Sequence, residues 1–369
     1  MSYGDYPDLQ KVKKILVVKM RHHGDVLLTS PVFSHLKRVL PEAQIDAMIY
    51  QETLPMLEGH PAIGAFVLYD KGWKKLPFWK KLTREFGLLR AIRKAGYDLV
   101  INLTEGDRGA VAGWYSKAPI RVGFDPQGKG IIGKKKMYTH IVKPCAMPRH
   151  TVERQLDALR RIGIFPKPED RDLFFHVPPS ERSKVKELLA QEELRQFVVI
   201  HPVSRWLFKS PPPELFAEVI KALKAKGHQV ALTSGPDPKE LAVIDRIAAL
   251  LPDNTAVNFG GRLTLKGLGA LMEMSQGLIT VDSVPLHLAS ALKVPVVVLF
   301  GPSSEKNWGP WQHPKSSVVA QNMPCRPCHL DGCGGSKMSD CLYTLKPQQI
   351  VQAFENVTAD AALNQRLRI

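Results

Sequence analysis

The stretch GLITVDSVPLHLASALKVPVVVLFGPS, residues 277–303, decides the fold class. Gly277 to Val281 is a short apolar run with β-branched residues, and a polar break at Asp282 and Ser283 ends it. Pro285 then suits the first turn of a helix, because it has no amide hydrogen to lose there. A second apolar run, Val294 to Phe300, follows. Strand, helix and strand joined by short polar turns predict a parallel sheet with crossover helices.

The same alternation extends outward. In the first half, strands are expected at Lys14 to Lys19, Gln44 to Tyr50, Ala65 to Tyr69, Tyr97 to Leu103 and Ile120 to Phe124, with helices at Trp79 to Ala95 and Thr151 to Ile162. Residues 163–180 hold four prolines and little periodicity, and read as a connection that can include one short strand. The pattern then restarts with strands Phe197 to His201 and His228 to Ser234, and the helix between them places Leu215, Phe216, Val219, Ile220 and Leu223 on one face. A chain of 369 residues exceeds what one core normally supports. Two Rossmann-like α/β domains facing a cleft are therefore expected: residues 1–170, residues 171–345, and a last helix over 346–369 that packs back on the first domain.

Hydrophobic residues make up 44% and charged residues 23%, which leaves no compositional case for extended disorder. The formal charge of +16 favours an anionic partner without naming it. The first strongly apolar run is only Ile15 to Val18, so neither a signal-peptide core nor a membrane span is expected, and a cytoplasmic location follows.

The candidate chemistry lies where strands run into helices, the edge at which open α/β sheets bind ligands. KKILVVKM runs into RHHGDVLLTSPV, which puts Arg21, His22, His23, Gly24 and Asp25 in the first such turn. Gly24 suits a tight turn. Asp25 either caps the helix or acts as a general base toward an attacking hydroxyl. HPVSRWLFKSPPP supplies Ser204, Arg205 and Lys209 beside a helix start, either as a diphosphate site or as a solvated turn. In LTSGPDPKEL, Glu240 can accept from ribose hydroxyls or simply face solvent. FGGRLTLKGLGALM offers Gly260, Gly261 and Leu263 as an adenine pocket or a plain turn. In the opening stretch, Ser283 and His287 at a helix start suit a leaving phosphate, whereas the Asp282 carboxylate suits sugar hydroxyls or a cap.

KxRHHGDVLLTSPV near the start and VDSVPLHLASAL followed by VPVVVLFGP near the end resemble the two hallmark blocks of the lipopolysaccharide heptosyltransferase family, with HPVSRWLFKS and TSGPDPKEL matching blocks between them. The doubled histidine resembles the heptosyltransferase III branch, which adds the side-branch heptose to the second heptose of the inner core. The resemblance implies a GT-B architecture, an acceptor on the first domain and ADP-heptose on the second. It implies Asp25 as base. Arg21, His22, His23 and Arg121 are expected on the acceptor, the two histidines as structural or substrate-orienting groups rather than catalytic ones. Ser204 and Lys209 would meet the donor phosphates, Glu240 the ribose and Leu263 the adenine. Ser283, Val284, Pro285 and His287 would line diphosphate and sugar, with Asp282 on the heptose. The family often has Thr-Gly-Leu where this chain has Ser283-Val284-Pro285, so one backbone amide is missing at Pro285. An inverting single displacement without a catalytic metal is implied, with the lipid A-core oligosaccharide as acceptor and no nucleic acid as partner.

Between Lys71 and Lys94 there are nine Lys or Arg against Glu85 alone, interleaved with Trp73, Phe78, Trp79 and Phe86. Basic residues with aromatics suit nucleic acid, and they equally suit the anionic inner leaflet that carries such an acceptor; the second is favoured, with peripheral attachment to the cytoplasmic membrane. Near the end, Cys325, Cys328, Cys333 and Cys341 have spacings suited to one structural zinc, and equally to reduced thiols.

Overall fold

The computed structural model describes residues 5–366, with side chains of the last helix as far as Ala359. It divides into two compact units, Met1–His176 and Val177–Ile369, with the division inside the proline-rich stretch 163–180.

The first unit carries β1 (Lys14–Lys19), β2 (Gln44–Tyr50), β3 (Ala65–Tyr69), β4 (Leu99–Asn102), β5 (Ile120–Phe124) and β6 (His140–Val142). All pair in parallel, in the order β3-β2-β1-β4-β5-β6. Ile15 to Val18 of β1 are fully buried, as a strand covered on both faces must be. The helices of this unit include α1 (His23–Leu27), α2 (Ser30–Val39), α3 (Phe78–Ala95), α4 (Asp107–Ser116) and α5 (Thr151–Arg160).

The second unit repeats the plan. Its strands are β7 (Phe197–His201), β8 (Gln229–Leu232), β9 (Val257–Asn258), β10 (Gly277–Val281), β11 (Val296–Leu299) and β12 (Ser316–Val319), in the order β12-β11-β10-β7-β8-β9. Counted from the start of each unit, both orders are 3-2-1-4-5-6, the doubly wound arrangement in which ligands sit where the winding reverses. That reversal falls between β1 and β4 in the first unit and between β7 and β10 in the second. Its larger helices are α6 (Pro179–Gln191), α7 (Pro213–Ala225), α8 (Pro238–Ala249), α9 (Leu265–Glu273) and α10 (Val284–Leu292). The α7 face read from the sequence is buried as a set, Leu215, Phe216, Val219, Ile220 and Leu223, each such side chain contributing roughly 1.5–3 kcal/mol by its burial.

The last helix, Pro347–Arg366, packs within the second unit, against α7, β10, β11 and β12, and Ile350, Val351 and Phe354 join the core there. Gly277 makes room for it: a Cβ at this position would lie 3.0 Å from Cε2 of Phe354 and 2.9 Å from the Pro295 carbonyl. The short strand allowed for in 163–180 does not form; the segment before α6 is a 3-10 turn at Pro168–Asp170 and extended chain.

Candidate active site

In the first unit, β1 delivers the turn Met20 to His22 at the winding reversal, and α1 carries Asp25 in its first turn. His22 is the N-cap residue and makes no side-chain cap bond, so Asp25 is not the cap that one sequence reading allowed. Gly24 is buried inside α1 and is not a left-handed turn residue; the turn is made by residues ahead of it. Arg21 is exposed, and the His23 imidazole Nε2 lies 2.8 Å from the Glu52 carbonyl.

Below this turn lies a residue that the sequence reading missed. Lys19 is 5% exposed, and its Nζ donates to the Leu103 carbonyl at 3.0 Å. Burial pushes its pKa down to about 8, against the attraction of Asp25 and Glu105. The Met20 amide donates to Thr104 Oγ1 at 2.8 Å, which ties the base of the Asp25 turn to the end of β4. At pH below about 8, Lys19 is charged in both folded and unfolded chain, and the burial penalty is at its full size. Between about 8 and 10.5 the folded state gives up the proton first, so stability due to this group rises with pH. Lys19→Met is expected to flatten that rise, worth about 3 kcal/mol, in urea midpoints followed to about pH 10.

Arg121 does not join the acceptor group. It occupies the second position of β5, near the amino end of the strand, whereas the turn bearing Asp25 follows the carboxyl end of a parallel strand. Its Nε donates to the Met137 carbonyl at 2.8 Å and its Nη1 to Ala118 at 2.5 Å, so its guanidinium fastens a loop.

In the second unit, three segments converge at the winding reversal. Lys209, at the end of the 3-10 turn Leu207–Lys209 after β7, places Nζ 2.6 Å from Asp282 Oδ2, just past β10. Ser303, beyond β11, donates to the same oxygen at 2.5 Å. Asp282 is 6% exposed, and its Oδ2 takes both partners, which compensates the burial of this carboxylate. Ser204 shapes the loop: its amide donates to Ser210 Oγ and its Oγ accepts from the Trp206 amide at 3.3 Å.

The start of α10 is built to meet an anion. Ser283 is the N-cap, yet its Oγ lies 3.3 Å from the Val281 carbonyl and makes no cap bond to the helix. Of the first-turn amides, that of Leu286 donates to the Ser283 carbonyl at 3.2 Å and Pro285 has none, which leaves Val284 as the amide that can meet a ligand. Val284 is half-buried at the mouth of this turn, and His287 is buried one turn in, its ring centroid 6.4 Å from that of Trp308. Glu240 accepts from the Gly235 amide at 2.9 Å and is half-buried. Burial raises its carboxyl pKa, opposed by that amide and by Arg205. Leu263 is half-buried just ahead of Thr264, which caps α9 through the Gly267 amide. His201, also missed in the sequence, is buried at the end of β7 beside Thr233 Oγ1, and burial lowers its pKa to about 4.

The four cysteines of the loop, expected as ligands of a structural zinc or equally as reduced thiols, differ in exposure. Cys341 is buried, Cys325 and Cys333 are exposed, and Cys328 is intermediate. Among the described residues no three His, Cys, Asp or Glu side chains are placed to hold a metal ion.

Two doubly wound α/β units in one chain make up the GT-B architecture. The chain belongs to glycosyltransferase family 9, the heptosyltransferases, whose pattern it matches over residues 86–338. It is 35% identical over 295 residues to a lipopolysaccharide heptosyltransferase 3 of Escherichia coli, covering 80% of this chain and 85% of the relative. Its fold is similar to the family 9 glycosyltransferase of Veillonella parvula, with a TM-score of 0.81 at 22% identity over 96% of this chain and 99% of the other. It is also similar to the E. coli ADP-heptose heptosyltransferase II, with a TM-score of 0.77 at 21% identity over 95% and 99%.

Proposed function

We propose that this enzyme transfers L-glycero-D-manno-heptose from ADP-heptose to the inner core of lipopolysaccharide, adding the side-branch heptose to the second heptose. The likeness to a lipopolysaccharide heptosyltransferase 3 across most of both chains supports the acceptor. The observation that carries the mechanism is the Lys209–Asp282–Ser303 cluster beside the open start of α10.

The donor diphosphate lies against the Val284 amide and His287. Lys209 exchanges part of its bond with Asp282 for a phosphate oxygen, and the freed carboxylate lobe accepts from heptose hydroxyls. Glu240 takes the ribose hydroxyls, Leu263 covers the adenine, and Ser204 holds the loop that carries Lys209. On the acceptor, Arg21, His22 and His23 hold the sugar while Asp25 accepts the proton of the attacking hydroxyl. That oxygen bonds to the anomeric carbon as the bond to ADP breaks, so a β donor yields an α product in one inverting displacement. Lys209, His287 and the Val284 amide stabilise the departing negative charge, and no metal is called for at this step.

The acceptor is lipid-borne, and the enzyme works at the inner face of the cytoplasmic membrane as a peripheral protein. The cation-rich segment Lys71 to Lys94 supports this reading, and no helix of the described residues is long and apolar enough to cross a membrane. Acceptors truncated after the first, second or third heptose test the branch, with mass spectrometry of the product. One added heptose on the two-heptose acceptor is expected; extension of the one-heptose acceptor instead would assign another step of core assembly.

A further inference from the structure

Of the eighteen residues of α3, Ile92 is the only buried one, an unusual state for a helix flanking a sheet. Leu88 and Leu89 pack partly inward. Facing out are Phe78 at 68%, Trp79 at 73%, Leu82 at 50% and Phe86 at 55% exposure. Phe78, Leu82 and Phe86 follow one another at four-residue spacing and share a stripe, with the Trp79 ring 5.3 Å from that of Phe78. Lys74, Lys75, Lys80 and Arg84 are exposed around them.

A second apolar point stands on the loop after β5. Ile132 is fully exposed and Ile131 is 40% exposed, with Lys129, Lys135 and Lys136 exposed on either side. This tip is held in place: the Ile131 amide donates to Asp107 Oδ1, and buried Lys134 bonds the Glu105 carbonyl at 2.5 Å and pairs with Asp107 at 3.1 Å. Asp107 opens α4, and both α3 and the turn Lys134–Met137 pack on α4. The start of α3 follows β3 and the loop follows β5, so Phe78, Trp79 and Ile132 all lie toward the carboxyl edge of the first sheet. That is the edge of the Asp25 turn.

We propose that this edge enters the interfacial zone of an anionic bilayer at two points, the start of α3 and the tip at Ile132, while the surrounding lysines and Arg84 meet lipid phosphates. The proposal deepens the peripheral-membrane reading by naming the side chains that insert and the face that turns to the lipid. Separate apolar points, each ringed by cations, suit a deformable anionic surface. Nucleic acid would use the cations and stack on the aromatics, whereas two separate apolar tips ringed by cations match the apolar interior and charged surface of a bilayer together. Entry at this edge sets the Asp25 turn on the side from which a lipid-borne sugar approaches.

Cosedimentation of the full chain with phosphatidylglycerol-containing vesicles, against phosphatidylcholine alone, tests the proposal in wild type, Trp79→Ser, Ile132→Ser and the double variant. Both positions are exposed, so the variants should melt as the wild type does. Binding to anionic vesicles is expected to weaken about tenfold in each single variant and about a hundredfold in the double. Transfer to a deacylated, soluble acceptor should stay unchanged. Wild-type affinity in the double variant, or loss only when Lys80 and Lys81 are changed to Glu, would overturn insertion. So would preference for duplex nucleic acid over anionic vesicles. Vesicle binding requires no sugar, so it can stand if transfer fails, and transfer to the soluble acceptor can stand if insertion fails.

Discussion

Replacing Asp25 with asparagine is expected to lower kcat about a thousandfold while leaving the affinity for ADP within about twofold of wild type. The change keeps the shape of the side chain and removes only its basicity. Asp25 stands in the first turn of α1 at the winding reversal of the first sheet, and no donor-binding residue lies on that element. Loss of turnover with retained ADP binding, measured by ADP release and by titration calorimetry, assigns the proton transfer to Asp25. Equal loss of both would instead make it a structural residue. Lys19 beneath it contributes an electrostatic attraction, so the two are coupled, and their effects on turnover should not add.

The second large effect is at Lys209. Lys209→Ala is expected to reduce kcat/KM for the donor by a factor of about 10²–10³, since it removes the cation that balances charge on the departing diphosphate. It also leaves Asp282, 6% exposed, with Ser303 as its remaining partner in this cluster. A buried carboxylate that loses its ion pair destabilises the fold, here by about 1–3 kcal/mol because Lys209 is itself one-fifth exposed. Adding Asp282→Asn to Lys209→Ala should restore part of that stability, read as the thermal midpoint, but none of the activity. Recovery of activity in the double variant would show that Asp282 merely opposes the donor.

Much of this was legible in the sequence because its information is local. Strands β1, β2, β3, β5, β7 and β10 match their apolar runs end for end, and the polar breaks after them mark the turns that carry Asp25, Lys209 and Asp282. The edge strands β6, β9 and β12 were not legible. They are two to four residues long and carry no apolar run, and their pairing is dictated by the neighbouring strand rather than by their own pattern. Ser303 and Lys19 were missed for a related reason. Ser303 reaches Asp282 across 21 positions, and Lys19 reaches Leu103 across 84, contacts created when parallel strands come into register. Arg121 stands near the amino end of β5, and which end of a strand a charged residue occupies is fixed only by the strand's final bounds.

The donor is the centre of this account, so the most direct measurement is nucleotide release by the purified enzyme with a two-heptose acceptor, comparing ADP-heptose with UDP- and GDP-linked sugars. Turnover with ADP-heptose alone, abolished in Lys209→Ala, is the predicted result. Turnover with another nucleotide sugar and none with ADP-heptose would contradict it.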